Sequence, residues 1–437
     1  MRAPLGTTLV LATLLGAVAA GSLDGSGRAA SAAPAAQLEV LSHVDPGGGI
    51  SGDVFGYKGH AYLGSWRGTA CPALGVRVYD VRAPRQPRLV SSFADAKSEP
   101  LVAGSWTEKV VVQPVRTARF RGDLAVTSIQ ACRRGAFEGY GLYDVTDPTQ
   151  PKQLALVRTE LPGSHEIWLQ PRGAKAYVYT AIPQSELRSS PDYDPQTRTA
   201  TTPGPADFRI IDVSDPRRPV QVGEWGAWRN LRINPKDGRG RFVSTYVHSV
   251  IVNKAATRAF LSYWDAGTVI LDISKPASPR YLGRTRVPGD PEGDIHSAAL
   301  GKDGKLLVET HEHGDSLPHF FDISNPKRPR YIRSFRIPGE QALPGVLPYY
   351  TDGVHDPKVR GNVAYFSWYR RGLAVVDITK ATKPRLLARF VPPAAADPGG
   401  ACGGSPACTM VWGVFPHNDY ILVSDMASGL WVLRLRR

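Results

Sequence analysis

The chain has 437 residues, and its 53 lysines and arginines against 39 aspartates and glutamates give a formal net charge of +14. Such a charge is compatible with binding to nucleic acid, to anionic lipid or to a phosphate-bearing cell-surface polymer. The basic residues are dispersed among alternating apolar residues, however, and the sequence has no recognition helix, zinc finger or RNP-like motif. These features argue against specific nucleic-acid binding, and a compositional bias toward Ala, Arg, Gly and Pro accounts for part of the excess charge.

Residues 1–20 have the pattern of a secretory signal peptide. Arg2 precedes an apolar run that is too short for a spanning helix, and Ala17–Ala19 is a candidate small-residue cleavage site. Residues 21–36, rich in Ala, Ser, Gly and Pro, are typical of a flexible leader. No later segment approaches the ~20 apolar residues of a transmembrane helix. We therefore expect an exported monomer, secreted or at the cell surface.

The rest of the chain repeats one phrase at a period of about 50–70 residues, which indicates a propeller, a solenoid or an array. The phrase consists of an apolar run, an aspartate, in most copies a serine or threonine two positions later, and then prolines. Its aspartates are Asp80, Asp144, Asp212, Asp272, Asp322 and Asp377. A seventh copy begins at Gly429 and reaches the last residue before any aspartate.

Each repeat contains four predicted strands, which are clearest at 248–253, 258–264, 268–273 and 280–287. These segments are rich in β-branched and aromatic residues and are bounded by Gly, Pro, Asn or Asp. The aspartate and the Ser or Thr are expected to bond local N–H groups, while the prolines end strand pairing. The phrase is therefore predicted to form the corner between the third and fourth strands. It lacks the ligand-rich loop with a central glycine that calcium requires.

The seventh repeat has no fourth strand of its own. The segment Gln37–Pro46 resembles the fourth strands of the other repeats, and pairing it with the C-terminal strand would cover an exposed edge. The predicted fold class is therefore all-β. We expect a seven-bladed β-propeller with four-stranded blades over residues 37–437, its ring closed by the N-terminal strand in the last blade.

The phrases at Leu271–Pro276, Ile210–Pro216 and Ala374–Thr379 resemble the repeat of the LVIVD family of exported bacterial propellers. The resemblance covers essentially the whole chain after the N-terminal segment. It implies a cell-surface or secreted propeller of a family for which no single activity is established. It supplies no catalytic residues, so catalytic positions stay unassigned.

Four cysteines in an exported chain favour disulfides over metal thiolates. We predict Cys71–Cys132, because these residues fall in equivalent loops of adjacent repeats, and Cys402–Cys408, because they are close in sequence. Free or differently paired thiols are the alternative. The cysteines share one predicted face with most long loops, where binding sites usually lie. These loops are 183–207, 226–247, 338–353 and 392–408.

The opposite face is predicted to carry a ring of basic corners. Its residues are Arg217, Arg218, Lys327, Arg328, Lys380 and Lys383. Such a surface either is simply solvated or attaches the protein to an anionic cell-surface polymer.

Histidine recurs at the start of the predicted innermost strand in four consecutive repeats, at His165, His248, His296 and His355. Since innermost strands surround the central channel, we expect these imidazoles to lie close together. Imidazoles near carboxylates are suitable ligands for Zn, Cu or Fe. Alternatively, the histidines tie neighbouring blades through hydrogen bonds and bind no metal. The same face is predicted to receive His311 and His313, and further candidate ligand contacts are Trp66, Trp264, Asp265, Glu312 and Trp368.

Two hypotheses follow from these residues. The first is an exported binding or scaffold protein that presents its His- and Trp-rich face to an unidentified protein or small molecule. The second is a metalloprotein or metal-dependent enzyme. Hydrolytic chemistry finds little support, because the sequence has no Gly-x-Ser-x-Gly elbow, no His-Glu-x-x-His motif and no phosphate-binding Gly-rich loop before a helix.

Overall fold

The computed structural model describes residues 36–68, 71–240, 243–290, 293–313, 316–341, 353–397, 399–402 and 404–436. The predicted signal peptide, nearly all of the predicted leader and most of loop 338–353 lie outside these residues. Across the described ranges, no helix has the length and apolar character needed to cross a membrane.

The predicted seven-bladed β-propeller is confirmed, with seven antiparallel blades arranged in a ring. Strand β1 spans Gln37–Val44. Blade one contains β2 (Ile50–Tyr57), β3 (His60–Trp66), β4 (Val76–Asp80) and β5 (Arg88–Phe93). Blade two contains β6 (Ser105–Trp106), β7 (Val110–Arg116), β8 (Arg121–Ala131), β9 (Gly139–Asp144) and β10 (Lys152–Arg158), and a short 3-10 helix at Pro100–Val102 precedes it. Both β6 and β7 pair with β8.

Blades three and four continue the pattern. Blade three contains β11 (Glu166–Arg172), β12 (Lys175–Ala181), β13 (Phe208–Asp212) and β14 (Val220–Trp225). The loops around it carry the short helices α1 (Ser185–Arg188) and α2 (Ala227–Leu231). Blade four contains β15 (Val247–Val252), β16 (Arg258–Tyr263), β17 (Gly267–Asp272) and β18 (Arg280–Arg284).

The last three blades complete the ring. Blade five contains β19 (Ile295–Gly301), a 3-10 turn at Lys302–Gly304, β20 (Leu306–His311), β21 (His319–Asp322) and β22 (Arg330–Ser334). Blade six contains β23 (Pro357–Arg360), β24 (Val363–Trp368), β25 (Gly372–Asp377) and β26 (Arg385–Phe390). A ribbon of β27 (Ala395–Ala396) and β28 (Ala407–Cys408) follows. Blade seven contains β29 (Val411–His417), β30 (Tyr420–Asp425) and β31 (Gly429–Arg436).

The N-terminal strand supplies the missing fourth strand of blade seven, as predicted. Strand β1 pairs antiparallel with β31, so that Gln37 lies opposite Arg436 and Val44 lies opposite Leu430. This pairing covers the edge that β31 would otherwise expose. The innermost strands contact one another in cyclic order from β2 through β7, β11, β15, β19 and β23 to β29, and β29 contacts β2.

The repeated aspartates form the predicted corners. In all six copies one carboxylate oxygen accepts the backbone N–H of the residue two positions later, at N···O distances of 2.8–3.0 Å. In four blades an arginine at the start of the fourth strand also contacts this carboxylate, as Arg330 does with Asp322 at 2.9 Å. The corner phrase is therefore structural, and its aspartates have their partners within the chain.

Apolar side chains fill the interfaces between blades. Phe260 and Ile270 of blade four, for example, pack with Leu307 and Phe321 of blade five. Because both faces of each blade are covered, the middle strands are buried almost throughout. Both predicted disulfides are confirmed. Cys71–Cys132 joins blades one and two, and Cys402–Cys408 lies in the connection between blades six and seven.

Candidate functional site

Six side chains form a closed ring at the mouth of the central channel. They stand at or just before the start of the innermost strands, and in blade order they are Glu108, His165, His248, His296, His355 and Trp412. His165 Nε2 and His248 Nε2 are 2.9 Å apart. The ring centroids are separated by 3.9 Å for His248 and His296, 4.3 Å for His296 and His355, and 3.8 Å for His355 and Trp412. The structure thus brings together the four histidines that the repeat predicted.

Glu108 closes the ring between blades three and seven. Its Oε1 accepts the indole N–H of Trp412 at 2.8 Å, and its Oε2 lies 3.4 Å from His165 Nδ1. The sequence analysis did not identify Glu108, because blade two has no histidine at this position of the repeat. Its one signal is the spacing from β7, which matches the spacing of His355 from β23.

Local backbone irregularities aim the histidines at the channel. The strand register shifts between Val247 and Ser249, and again between Ile295 and Ser297, so His248 and His296 each occupy a β-bulge. A bulge redirects one side chain without ending the strand. In blade six the N–H of His355 instead donates to the carbonyl of Ser367 at 2.9 Å, which anchors the entry to β23.

The hydrogen bonds determine which histidine nitrogens carry lone pairs, because a carbonyl oxygen can only accept. His296 Nδ1 lies 2.6 Å from the carbonyl of His355, and His355 Nδ1 lies 2.8 Å from the carbonyl of Trp412. Both Nδ1 atoms therefore carry the proton and donate. Consequently His296 Nε2 and His355 Nε2 both carry lone pairs.

The same reasoning extends to His165 and His248. The side-chain oxygen of Gln130 accepts from His165 Nδ1 at 2.7 Å, so His165 Nε2 is the acceptor for His248 Nε2–H. His248 Nδ1 then carries a lone pair. In the described part of the chain, His248 Nδ1 and His355 Nε2 are buried and have no hydrogen-bond partner.

Burial keeps the four imidazoles neutral. It lowers the pKa of His165 to about 3, and the positive charge of Lys109 adds to this effect. Burial also lowers the pKa of His248, His296 and His355 well below the ordinary value of 6.5. Neutral imidazoles are the form that coordinates metals.

Glu312 adds a carboxylate to this cluster. Its Oε1 accepts the hydroxyl of Tyr369 at 2.5 Å, and its Oε2 lies 3.7 Å from His296 Nε2. One potential ligand atom from each of His248, His296 and Glu312 lies within 4.8 Å of the other two. These three residues are therefore the best-placed candidates to hold a metal ion.

A layer of buried charges lies next to the ring. Three of its members, Lys109, Glu166 and Asp356, directly follow ring residues in the sequence. Lys109 Nζ contacts the carboxylates of Asp53, Asp356 and Glu166 at 2.5, 3.0 and 3.2 Å. Burial alone would lower the pKa of Lys109, but these carboxylates raise it well above its ordinary value. Burial raises the pKa of Glu166 to about 7. Because every member has an opposite charge beside it, this layer joins four blades as an internal tie.

Above the ring lies a cavity of about 670 Å³, a size typical of small-molecule sites. Two of the predicted long loops form its sides through residues that include Pro183, Tyr193, Lys236 and Ser244. Trp66, Trp264 and His313 also line it, together with Glu312. The long-loop face therefore does carry a concave site over the histidine ring.

The remaining candidate residues lie elsewhere. His311 Nε2 is 3.2 Å from Glu309, and the His311 ring packs on His319 at a centroid distance of 4.4 Å, away from the cavity lining. Trp368 is fully buried in the core between blades five and six and does not face the cavity. Asp265 accepts the backbone N–H of Ser244 at 2.9 Å and thereby holds a long loop in place. Burial raises the pKa of Asp265 to about 6.

Two segments of the chain match a known repeat family. Residues 259–286 and 354–391, in blades four and six, match the LVIVD repeat. No curated protein matches the chain. Among solved structures, the computationally designed Ika8 protein is similar at 9% identity and a TM-score of 0.49, over 90% of this chain and 99% of that one.

Raptor from Chaetomium thermophilum is similar at 11% identity with a TM-score of 0.57. The match covers 91% of this chain and 29% of the Raptor chain. At this level of identity the likeness concerns the fold alone.

Proposed function

We propose that this β-propeller, whose residues 259–286 and 354–391 match the LVIVD repeat, is an exported binding protein. It holds a divalent transition-metal ion in the histidine ring of its long-loop face. The observation that carries the proposal is the convergence of His248, His296 and Glu312, whose potential ligand atoms lie within 4.8 Å of one another. The lone pairs of His248 Nδ1 and His296 Nε2 and the Oε2 atom of Glu312 are the proposed donors.

Each proposed ligand is already oriented through its other polar atom. His165 accepts from His248 Nε2, the carbonyl of His355 accepts from His296 Nδ1, and the hydroxyl of Tyr369 donates to Glu312. Metal-binding imidazoles typically have such a second hydrogen bond, which fixes the tautomer and the ring orientation.

The alternative role of the histidines, as hydrogen-bonded ties between blades, accounts for five of their eight ring nitrogens. The bonds from His296 and His355 to neighbouring carbonyls are ties of this kind. A tie does not require a second nitrogen that is buried without a partner, as His248 Nδ1 and His355 Nε2 are in the described structure. Such a nitrogen costs stability, on the order of 1–3 kcal/mol, unless a ligand satisfies it.

The donor set narrows the choice of metal. Two imidazoles and one carboxylate are the ligands of many Zn²⁺ and Fe²⁺ sites that keep an open coordination position. Here the open position would face the cavity. The set contains no thiolate or thioether, which Cu⁺ prefers. We therefore propose Zn²⁺ or Fe²⁺, and Cu²⁺ is the third ion to test.

Export is supported by the two disulfides, since disulfides form and persist mainly in oxidising compartments. The sequence pattern of residues 1–20 is the second argument for export.

The test is metal analysis of protein purified without chelators, followed by titration of stripped protein with Zn²⁺, Fe²⁺ under anaerobic conditions, and Cu²⁺. We expect about one ion per chain, and an at least tenfold weaker affinity in the His248→Ala, His296→Ala variant. His60→Gln is the matched control. His60 and Trp66 are the two ends of β3, and the cavity is lined by Trp66 but not by His60.

Glu312→Gln is the finer variant, since the amide oxygen can still accept from Tyr369 while the charge is lost. We expect weaker metal binding with unchanged thermal unfolding of the stripped protein. Substoichiometric metal in the wild type, with titration heats that the double variant does not alter, would refute the proposal.

A further inference from the structure

We infer that the cavity above the ring takes a small organic anion with a planar aromatic body, an inference that rests on the proposed metal site as the floor of the cavity. The volume of about 670 Å³ accommodates such a molecule together with the open coordination position. Three features of the cavity lead to this class of ligand: its walls, its rim and its shortage of negative charge.

The walls are aromatic on opposite sides of the channel. On one side Trp66 lies 5.7 Å from Trp106 and 6.0 Å from Trp412 between ring centroids. On the other side Tyr246 stacks on Trp264 at 5.2 Å with an interplanar angle of 15°. Blades one and four are separated by at least two blades in each direction around the ring, so the two aromatic walls line the cavity from different sides. Offset or edge contacts between aromatic rings stabilise a bound aromatic ligand more than burial of the same apolar area does.

The rim is positively charged. Arg198 and Lys236 line the cavity from two long loops, and within the described structure neither forms an ion pair with a carboxylate. Lys236 Nζ donates to the carbonyl of Thr197 at 3.0 Å, which joins the two loops and places both cations at one part of the rim. Two neighbouring cations without acidic partners form a site complementary to an anion.

Negative charge is scarce in the cavity. Among the described residues of its lining, Glu312 is the one carboxylate, and the proposed metal ion would neutralise it. Metal, Arg198 and Lys236 together leave the cavity positive. A cationic ligand is therefore disfavoured, and a carboxylate matches both the rim and an open coordination position.

The experiment compares three probes on one protein sample of measured metal content. Benzoate is aromatic and anionic, benzamide is aromatic and neutral, and cyclohexanecarboxylate is anionic but not planar. Binding is followed by calorimetry and by tryptophan fluorescence, because four tryptophans line the cavity. We expect benzoate to bind at least tenfold more tightly than either of the others.

Two variants test the walls and the rim separately. The double variant Arg198→Ala, Lys236→Ala should bind benzoate about 3- to 10-fold more weakly. Its affinity for benzamide should be unchanged. The Trp66→Ala variant should bind benzoate and benzamide more weakly by the same factor, about 3- to 10-fold. Arg218→Ala with Lys383→Ala, at the opposite corner face, is the control for general charge.

The outcomes separate this inference from the proposed function. Equal affinity for the three probes, or no binding to protein that contains its metal, overturns the inference and leaves the metal site intact. If the protein contains no metal, the proposed function fails, and discrimination among the probes still decides whether the walls and rim select an aromatic anion.

Discussion

The corner aspartates and the channel histidines are both repeated residues, but they differ in how their polar atoms are satisfied. At the corners, Asp272 accepts a backbone N–H at 2.9 Å and also pairs with Arg280. All five counterparts accept the equivalent N–H, and three of them also pair with an arginine. At the channel mouth, His248 and His355 each have one buried nitrogen with no partner in the described chain. Recurrence of a residue in the repeat therefore does not by itself distinguish a structural role from a functional one.

The satisfied groups are expected to contribute to stability, and the unsatisfied ones to binding. The Lys109 layer belongs to the first class, since Lys109 is surrounded by three carboxylates. The histidine ring belongs to the second class, although His248, His296 and His355 are as deeply buried as Lys109. Substitutions in the first class should therefore lower the stability of the fold, and substitutions in the second class should lower its affinity for metal.

Lys109→Met should produce the largest loss of stability. It would leave Asp53, Glu166 and Asp356 buried without their shared cation, and breaking such a network costs about 3–5 kcal/mol. Chemical denaturation should show this decrease in the free energy of unfolding. A variant as stable as the wild type would mean that the layer does not tie the blades together.

Metal should stabilise the wild type and fail to stabilise the ring variant. A ligand at a hundred times its dissociation constant adds about 2.7 kcal/mol to the stability of the folded state. Differential scanning calorimetry with and without Zn²⁺ should show a higher Tm for the wild type and for His60→Gln. The His248→Ala, His296→Ala variant should show no shift, and an equal shift in all three proteins would place the metal elsewhere.

Asp272→Ala should have a smaller effect than either change. It removes an N–H acceptor and a surface ion pair, which together contribute about 1–2 kcal/mol. Asp272→Asn is the matched control, because its side-chain oxygen can still accept from Ser274. If the alanine and asparagine variants unfold at the same denaturant concentration, the corner hydrogen bond contributes nothing measurable.

Lowering the pH should reduce the contribution of the corner aspartates to stability over a defined pH range. Hydrogen bonds from Ser274 and the contact with Arg280 lower the pKa of Asp272 from 3.8 to about 2, and the pKa of Asp322 and Asp377 is likewise about 2. A carboxylate with a depressed pKa in the folded state stabilises the fold above pH 3.8. This contribution is lost as the pH falls through about 2.

The measurement is the free energy of unfolding between pH 4 and pH 2. Its slope should be smaller in a variant that carries Asn at positions 272, 322 and 377 than in the wild type. Identical slopes would show that the corners are not ionised partners in the folded state.

The sequence was sufficient for the fold because every blade repeats the same local signals. The corner phrase, the strand pattern and the missing seventh corner together predicted seven blades and closure by the segment Gln37–Pro46. The structure has seven blades, and Gln37–Val44 of that segment pairs with β31. The repeat also defined equivalent positions in the different blades. Comparison of these positions identified the four histidines that meet at the channel.

The rest of the site depends on contacts between blades, which a linear pattern does not contain. Glu108 joins the ring because blades two, three and seven bring it to His165 and Trp412. His311 and Glu312 are adjacent in sequence, yet the first packs on His319 and the second faces the cavity. Trp264 directly follows the second strand of blade four, and Trp368 ends the second strand of blade six. Of these two residues, only Trp264 lines the cavity.

The most direct test of the central claim is a crystal structure of protein purified without chelators, with diffraction data collected above and below the Zn and Fe absorption edges. We predict one anomalous peak about 2.0–2.2 Å from His248 Nδ1, His296 Nε2 and a Glu312 oxygen. The contradicting result is ordered water at hydrogen-bonding distance from these nitrogens, with no anomalous peak in the ring.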